Sequence, residues 1–499
     1  MTKSLLNVER YPLIINPDPR RVLFRPFHLG NERMVLIVNR LLALTAEEVE
    51  AELSQVFQEF RHRHQAVETY LDRRAKEILS YFDLEEELSP LHQLLIGAYF
   101  TNEYALEAAA LFNPSIVWHP DQSNLPEGCR RFIISLRATG EGHISSIVFR
   151  SGFVDQNAGI WLDGYSRYVT PPDSYEEAYL SRDVFQRKLH ELGLDDGFAN
   201  SIVSKLPEEV CYSDVYPVVK EAPAYQTHRV AGDGILALMK ANYIINYSDD
   251  RALSERILFP YSPNEMNGME DARFVEFTEE DGKTTYYATY TAYNGRVIFP
   301  QLLETRDFID FRVKTMAGDV VKNKGMALFP RKVNGKYVML GRQDGENIFL
   351  MESDNLFFWE TSKLLLAPKY PWEFVQLGNC GSPIETPEGW LVLSHGVGAM
   401  RKYCIGVFLL DLNNPEVVLA RLPYPILTPQ GEEREGYVPN VVYTCGAVIH
   451  ADKLLIPYAM SDYSTGFATV PMDELMQALL QERDNAVGKN AETVETESR

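Results

Sequence analysis

The sequence predicts an all-β core of propeller type, with a helical N-terminal module and a helical insertion. Three observations lead there. Short β-type runs such as RFIISLRA, TTYYATYTAY and WLVLSHG recur from about residue 103 to 470, punctuated by Gly, Asn, Asp and Pro turns. Two segments, LETRDFIDF (303–311) and MESDNLFFW (351–359), align without gaps at a spacing of 48 residues. A period of about 40 to 50 residues built from four short strands is that of propeller blades. Setting aside one helical stretch, the β-rich region has room for five or six of them. A sandwich whose hairpins coincide is the alternative.

The elements follow in order. Residues 1–102 form a strand and helix module. Arg21 to Phe24 and Met34 to Asn39 read as strands, and T-A-E-E at Thr45 reads as a capping box. From there VEAELSQVFQEFRHRHQAVETYLDRRAKEIL keeps apolar residues at three- and four-residue spacing, which predicts one long amphipathic helix. Residues 103–470 are the propeller domain, interrupted at about 171–210 by a helix-patterned insertion. Residues 471–499 read as a C-terminal helix and polar tail, the part from about 484 being expected to be disordered.

Composition narrows the function. The net charge of −22 disfavours nucleic acid and anionic membrane surfaces as partners, since both need clustered Lys and Arg. No apolar run reaches the length of a membrane span. The five cysteines are scattered without a C-x-x-C pair, which argues against a zinc site and a disulfide framework. With an N-terminus that lacks a signal-peptide pattern, this predicts a cytoplasmic protein without a metal. The N-terminal helices are the expected surface for any homo-oligomer.

Four constellations can carry chemistry. In N-G-M-E-D-A-R, Glu270, Asp271 and Arg273 precede an apolar strand. Strand alternation places Asp271 and Arg273 on one side, where the guanidinium orients the carboxylate, and turns Glu270 away or toward a hydroxyl. A structural turn held by an Arg–Asp pair is the alternative. In S-L-R-A-T-G-E-G-H, Arg137, Glu141 and His143 end a strand, as sugar-binding groups or as a solvated loop. Lys324, Arg331, Lys332, Arg342, His395, Arg401 and Lys402 recur near strand ends and can converge on an anion or stay on the surface. Arg434 to Gly446 precedes a buried strand, and Asp462 follows as a turn cap or a substrate contact. Phosphate loops, nucleophile elbows, H-E-x-x-H and dinucleotide fingerprints are absent from the sequence.

Seven motifs taken in order resemble glycoside hydrolase family 130, the β-mannoside phosphorylases and mannosidases. They are F-N-P-S-I-V (112–117), S-L-R-A-T-G (135–140), G-M-E-D-A-R (268–273), Y-T-A-Y (290–293), N-K-G-M-A-L-F-P-R-K-V-N-G-K-Y (323–337), P-I-E-T-P-E-G-W-L-V-L-S-H-G-V (383–397) and R-E-G-Y-V-P-N-V-V-Y-T-C-G (434–446). The resemblance implies a five-bladed propeller cleaving β-mannosidic bonds with inversion and without a cofactor. It implies Asp271 as the proton donor, acting through a sugar hydroxyl. Arg137, Glu270 and Arg273, with Tyr293 and Asp462, would bind the mannoside. Three positions depart from the family pattern: Ala272 where Pro is common, Glu385 where phosphorylases often carry Lys, and Tyr437 where Asp is frequent.

The nucleophile can be argued from charge. An inverting hydrolase needs a second carboxylate about 6.5–9.5 Å from the acid to activate water. A phosphorylase needs cations to hold inorganic phosphate as co-substrate instead. Lys324, Arg342, His395 and Arg401 are the expected phosphate cradle, and phosphorolysis giving α-mannose 1-phosphate is favoured. Glu385 is the candidate base if the enzyme is instead a β-mannosidase. A propeller that only binds glycans is the non-catalytic alternative.

Overall fold

The chain orders itself into five successive antiparallel units, each of four main strands, in a computed structural model that describes residues 6–82 and 88–497. Unit I comprises Ala110–Trp118, Arg130–Thr139, Ser145–Val154 and Ile160–Leu162. Unit II comprises Gly268–Thr278, Thr284–Tyr293, Ile298–Thr305 and Asp310–Thr315, extended at its edge by Tyr243–Asn246 and Ser174–Glu177. Unit III comprises Lys324–Leu328, Tyr337–Arg342, Ile348–Ser353 and Ser362–Leu366. Unit IV comprises Gln376–Asn379, Gly389–Val397, Tyr403–Leu410 and Val418–Arg421. Unit V comprises Val442–Tyr443, Lys453–Met460, Ser464–Pro471 and, from the other end of the sequence, Glu9–Ile15. The all-β core is thus as the strand pattern predicts.

The first strands of the units hold one another in a closed cycle. Phe274 N–H of unit II donates to Ser115 Oγ of unit I at 3.0 Å. Lys324 of unit III is ion-paired with Glu270 of unit II at 2.7 Å. Asn379 Nδ2 of unit IV donates to Gly325 O of unit III at 2.8 Å. Units IV and V meet just past their first strands, where a Cβ on Gly381 would lie 2.4 Å from Cys445 O, and Arg273 of unit II spans them through Cys380 O at 2.7 Å and Tyr443 OH at 2.6 Å. Cys445 N–H, just past unit V's first strand, donates to Pro114 O of unit I at 2.8 Å and closes the cycle. Pairing Glu9–Ile15 with Ser464–Pro471 joins the two ends of the chain in one sheet, so the first strand of the expected 1–102 module belongs to unit V.

The 48-residue repeat falls at equivalent places. Both copies span the turn between the third and fourth strands, in units II and III. Asp307 Oδ1 accepts from Ile309 N–H in one copy, and Asn355 Oδ1 from Phe357 N–H in the other. The final aromatics Phe311 and Trp359 are both fully buried.

Several boundaries differ from the sequence reading. Met34–Asn39 lies within helix α1 (Asn31–Leu42), where Val38 and Leu41 turn inward together at helical spacing. The long helix is two, α2 (Ala46–Phe60), with the Thr45–Glu48 capping box formed, and α3 (Val67–Leu79). The break follows from His64, which stacks on Phe24 at 3.5 Å and bonds Glu103 at 2.7 Å; those contacts carry the chain out of the helix. Helix α4 (Pro90–Tyr99) completes the module, sharing one apolar cluster with the other three.

The insertion opens with short strands and then runs through four helices to residue 240, past the expected limit of 210. These are α5 (Arg182–Glu191), α6 (Gly197–Val203), α7 (Tyr212–Lys220) and α8 (Arg229–Lys240). Pro217 inside α7 and two glycines inside α8 mask their helical pattern, while Val215, Val219, Ile235 and Met239 pack into the core of unit II. The segment from 484 is helical as far as 497, being the end of α9 (Met472–Glu497); residues 498–499 lie outside the described residues.

Candidate active site

Each unit's first strand brings its N-terminal end to one place, and the functional side chains gather there. On unit II the strand Gly268–Thr278 pairs Glu270 with Thr291 and Arg273 with Thr289, so three residues on one strand oppose two on the other. The extra residue makes a β-bulge, and Asp271 takes a left-handed φ of 55° within it. Alternation is lost there. Glu270 therefore does not turn away from Asp271, as a regular strand would require; both carboxylates face Arg137. Gly268 enters this strand at φ 134°, where a Cβ would meet Ser145 N at 2.8 Å.

Arg137, at the end of unit I's second strand, is the hub. Its NH2 donates to Glu270 Oε1 at 2.9 Å, its NH1 to Asp271 Oδ1 at 3.3 Å, and its Nε to Ser145 Oγ at 2.8 Å. Asn113 Nδ2 donates to Asp271 Oδ1 at 2.7 Å, and Lys324 Nζ to Glu270 Oε2 at 2.7 Å. Burial alone would push the Asp271 carboxyl up. The charges of Arg137, Arg273 and Lys324, with the Asn113 bond, outweigh it and hold Asp271 at about 2. Asp462, in the turn after unit V's second strand, is pushed the other way, to about 6, first by burial and then by the charge of Asp271, against Arg137 and Arg401. Two neighbouring carboxylates are thus driven apart by their surroundings.

A second group of cations sits beside these carboxylates. Arg273 is buried and gives its donors to Cys380 O, Tyr443 OH and, at 3.2 Å, its neighbour's carbonyl, Asp271 O. Arg342 NH1 donates to His395 Nε2 at 2.9 Å, while its buried Nε has no partner. None of these acceptors is an anion. Burial, and then the field of Arg342 and Arg273, holds His395 well below its ordinary value, so the ring is neutral. His395 packs edge-on against Tyr443 at 5.0 Å.

The structure thus gathers Arg137, Glu270, Asp271, Arg273, Lys324, Arg342 and His395, with Asp462 within their electrostatic reach. Tyr293 lies at the same end, its backbone paired with Gly268. Lys324, whose backbone pairs with that of Arg342, gives its ammonium to Glu270 and so links the carboxylates to the cations. Arg401 is exposed at the rim, its guanidinium over the Tyr403 ring at 5.3 Å. Glu385 is not brought into the site. It pairs with Trp390 at the opposite end of the strand that carries His395, and Arg331 holds it through bonds of 2.7 and 2.8 Å. The sequence analysis missed Asn113, Ser145 and Tyr443 as individuals. The first two were hidden by ordinary residue types; the third lies in a motif whose residues read as a turn before a buried strand.

A cavity of about 640 Å³ lies at the other end of the first strands. It is lined by residues downstream of the site in each unit, including Trp118 and Phe274 on the first strands and Pro330, Ile384 and Val448 beyond them. It contains none of the Asp271 group, and Glu385 and Arg331 line it.

A mostly β frame that brings a clamped carboxylate pair beside buried guanidiniums is suited to an enzyme that cleaves glycosides. Comparison with known proteins gives the particular family. Residues 239–481 match the family model described as beta-1,4-mannooligosaccharide phosphorylase. A 1,2-beta-oligomannan phosphorylase of Thermoanaerobacter sp. (strain X514) is 36% identical over 228 residues, 45% of this chain and 75% of that protein. A beta-1,2-mannobiose phosphorylase of the same organism is 37% identical over 227 residues, 43% and 70% of the two chains. Among solved structures, the beta-1,2-mannobiose phosphorylase of Listeria innocua in complex with beta-1,2-mannobiose covers 74% of this chain and 92% of its own, at 22% identity and a TM-score of 0.45. The chain belongs to glycoside hydrolase family 130 and is an enzyme of that β-mannoside phosphorylase and glycosidase family. The family-model match begins after unit I, which nevertheless supplies Asn113 and Arg137 to Asp271.

Proposed function

We propose that this chain is an inverting β-mannoside phosphorylase on a five-bladed β-propeller. Support for the propeller comes from the five four-stranded units and the closed cycle of their first strands. The relatives named as phosphorylases of β-1,2-linked mannosides support the substrate class. Asp271 is the proton donor; Arg137, Glu270, Asp462 and Tyr293 hold the mannosyl unit; Arg273, Arg342 and His395 receive phosphate, with Lys324 steadying Glu270 and Arg401 at the rim.

One observation carries the choice of nucleophile. Burial first, and then the nearby charge of Arg273, lowers Arg342 from its ordinary value, and neither guanidinium donates to an anion. Asp271 offsets part of this buried positive charge, and a phosphate dianion would answer the remainder with charge-assisted bonds. The candidate hydrolytic base, Glu385, is held by Arg331 away from them. Phosphate oxygen then bonds to the anomeric carbon as the glycosidic C–O bond breaks. The leaving oxygen takes the proton that Asp271 delivers through a sugar hydroxyl, giving α-mannose 1-phosphate and the shortened sugar.

The test incubates the protein with β-1,2- and β-1,4-mannobiose, with and without phosphate. Mannose 1-phosphate formed only with phosphate is the expected result. Equal release of mannose without phosphate overturns the phosphorylase reading in favour of hydrolysis. Asp271→Asn is expected to bind mannobiose yet turn over neither substrate, whereas a purely glycan-binding protein has no turnover to lose.

A further inference from the structure

The strand-connecting turns at the site's mouth present one feature that the reaction does not use, an exposed aromatic pair bridging units I and V. Tyr437 is 58% exposed. Its ring lies 5.6 Å from that of His143, inclined at 32°, and its hydroxyl is 3.4 Å from His143 Nδ1. Both partners are fixed from the site side. Val438 N–H donates to Ser461 O at 2.9 Å, and at Gly436 a Cβ would meet the same oxygen at 2.6 Å. Tyr437 is therefore tied on both sides to the turn that carries Asp462. His143, at φ 60°, stands two residues before Ser145, which accepts from Arg137.

The pair thus stands on the turns that carry Asp462 and lead into Ser145, the partner of Arg137. With the reacting mannosyl unit on Asp271 and phosphate on Arg342, inversion puts the leaving sugar on the side opposite phosphate, where Asp271, Arg137 and Asp462 stand. A broad ring with a polar tip is the surface on which the C–H face of a pyranose stacks while its hydroxyls find partners.

Resting on the phosphorylase reading, we propose that Tyr437 and His143 form the subsite for the leaving sugar, a neutral hexopyranose, and set which acceptor the enzyme takes in reverse. The reaction is run backwards from mannose 1-phosphate with mannose, glucose or N-acetylglucosamine as acceptor. Tyr437→Ala is expected to raise KM for the preferred acceptor at least tenfold and leave KM for mannose 1-phosphate within twofold. Tyr437→Phe, which keeps the ring, is expected to stay within threefold of the parent on both. An unchanged acceptor KM in Tyr437→Ala, or equal rises in both constants, overturns the assignment. Calorimetry in an Asp271→Asn background reads the same subsite whichever nucleophile is used. Tyr437→Ala should there weaken mannobiose about tenfold and leave mannose unchanged; equal affinities with and without Tyr437 also overturn it. Failure to form mannose 1-phosphate, by contrast, sinks the phosphorylase reading and leaves the binding comparison decisive for the subsite.

Discussion

Asp271 has to deliver a proton, yet in the free site its carboxyl is held at about 2 and is ionised at neutral pH. Phosphate itself can resolve this. A dianion beside Arg273 and Arg342 cancels part of the field that keeps the proton off. Across a pyranose ring the two sit about 8 Å apart, by the spacing of inverting sites. At an effective dielectric of ~20 each unit charge then acts with about 2 kcal/mol, or about 1.5 in pKa. Two charges bring Asp271 from about 2 to about 5. Anion binding should therefore take up a proton, and affinity should strengthen as pH falls from 7 toward 5.

Sulfate separates this effect from the titration of phosphate, because it stays a dianion throughout that range. Calorimetric titration at pH 5 in two buffers of different ionisation enthalpy measures the proton count directly. The expectation is about half a proton taken up by the wild type, from the shift worked above, and none by Asp271→Asn. Asp462, pushed up to about 6, is already mostly protonated at pH 5 and adds little. Equal uptake by the wild type and Asp271→Asn would refute the coupling.

Four further outcomes are expected. His395→Ala should raise KM for phosphate about ten- to hundredfold, the loss of one bond to a charged group being about 1.5–3 kcal/mol, with KM for mannobiose within twofold in initial-rate assays. Glu385→Gln should keep kcat, and its melting temperature should move little because an exposed pair contributes at most about 1 kcal/mol; a hundredfold loss of kcat would restore Glu385 as a base. Asp462 carries a raised folded-state value, so its ionisation weakens the fold as pH rises from about 4 to about 6; denaturant titrations should show the wild type losing roughly 2–3 kcal/mol relative to Asp462→Asn across that window. Glu107 is fully buried between Arg21 and Arg150, at 2.8 and 2.9 Å; Glu107→Gln should cost about 3–5 kcal/mol by leaving both guanidiniums without their counter-ion, read as a lowered denaturation midpoint.

The sequence carried more of the frame than of the boundaries. Turn-punctuated strands and the 48-residue repeat were legible because both copies use the same Asx turn, at Asp307 and Asn355, and end on a buried aromatic. The strand Glu9–Ile15 could not be assigned to unit V, since its partner residues lie 450 to 460 positions away and nothing local marks the pairing. Met34–Asn39 misled for the opposite reason. Its run of apolar residues satisfies a strand, and only the packing of Val38 and Leu41 against the other N-terminal helices makes it helical. Arg137 and Asp271 were legible through their motifs. Glu385 misled because a carboxylate near cations in sequence says nothing about which end of its strand faces them.

What no periodicity could show is the bulge, and it recurs. The first strands of units I, II and III each slip register at corresponding places, between Phe112 and Ser115, Glu270 and Arg273, and Lys324 and Ala327. Each slip contains one residue with positive φ: Asn113 at 48°, Asp271 at 55° and Gly325 at 90°. Left-handed backbone favours Gly, Asn and Asp, so the residue types fit the geometry even without a functional reason. The consequence is functional all the same. A regular strand sends adjacent side chains to opposite faces; a bulged one lets Glu270 and Asp271 share Arg137 and lets Asn113 reach Asp271 from the neighbouring unit. A bulge at three equivalent places is therefore what converts five similar hairpin stacks into a site with two carboxylates on one side, and a residue-by-residue alternation rule fails where the chemistry is concentrated.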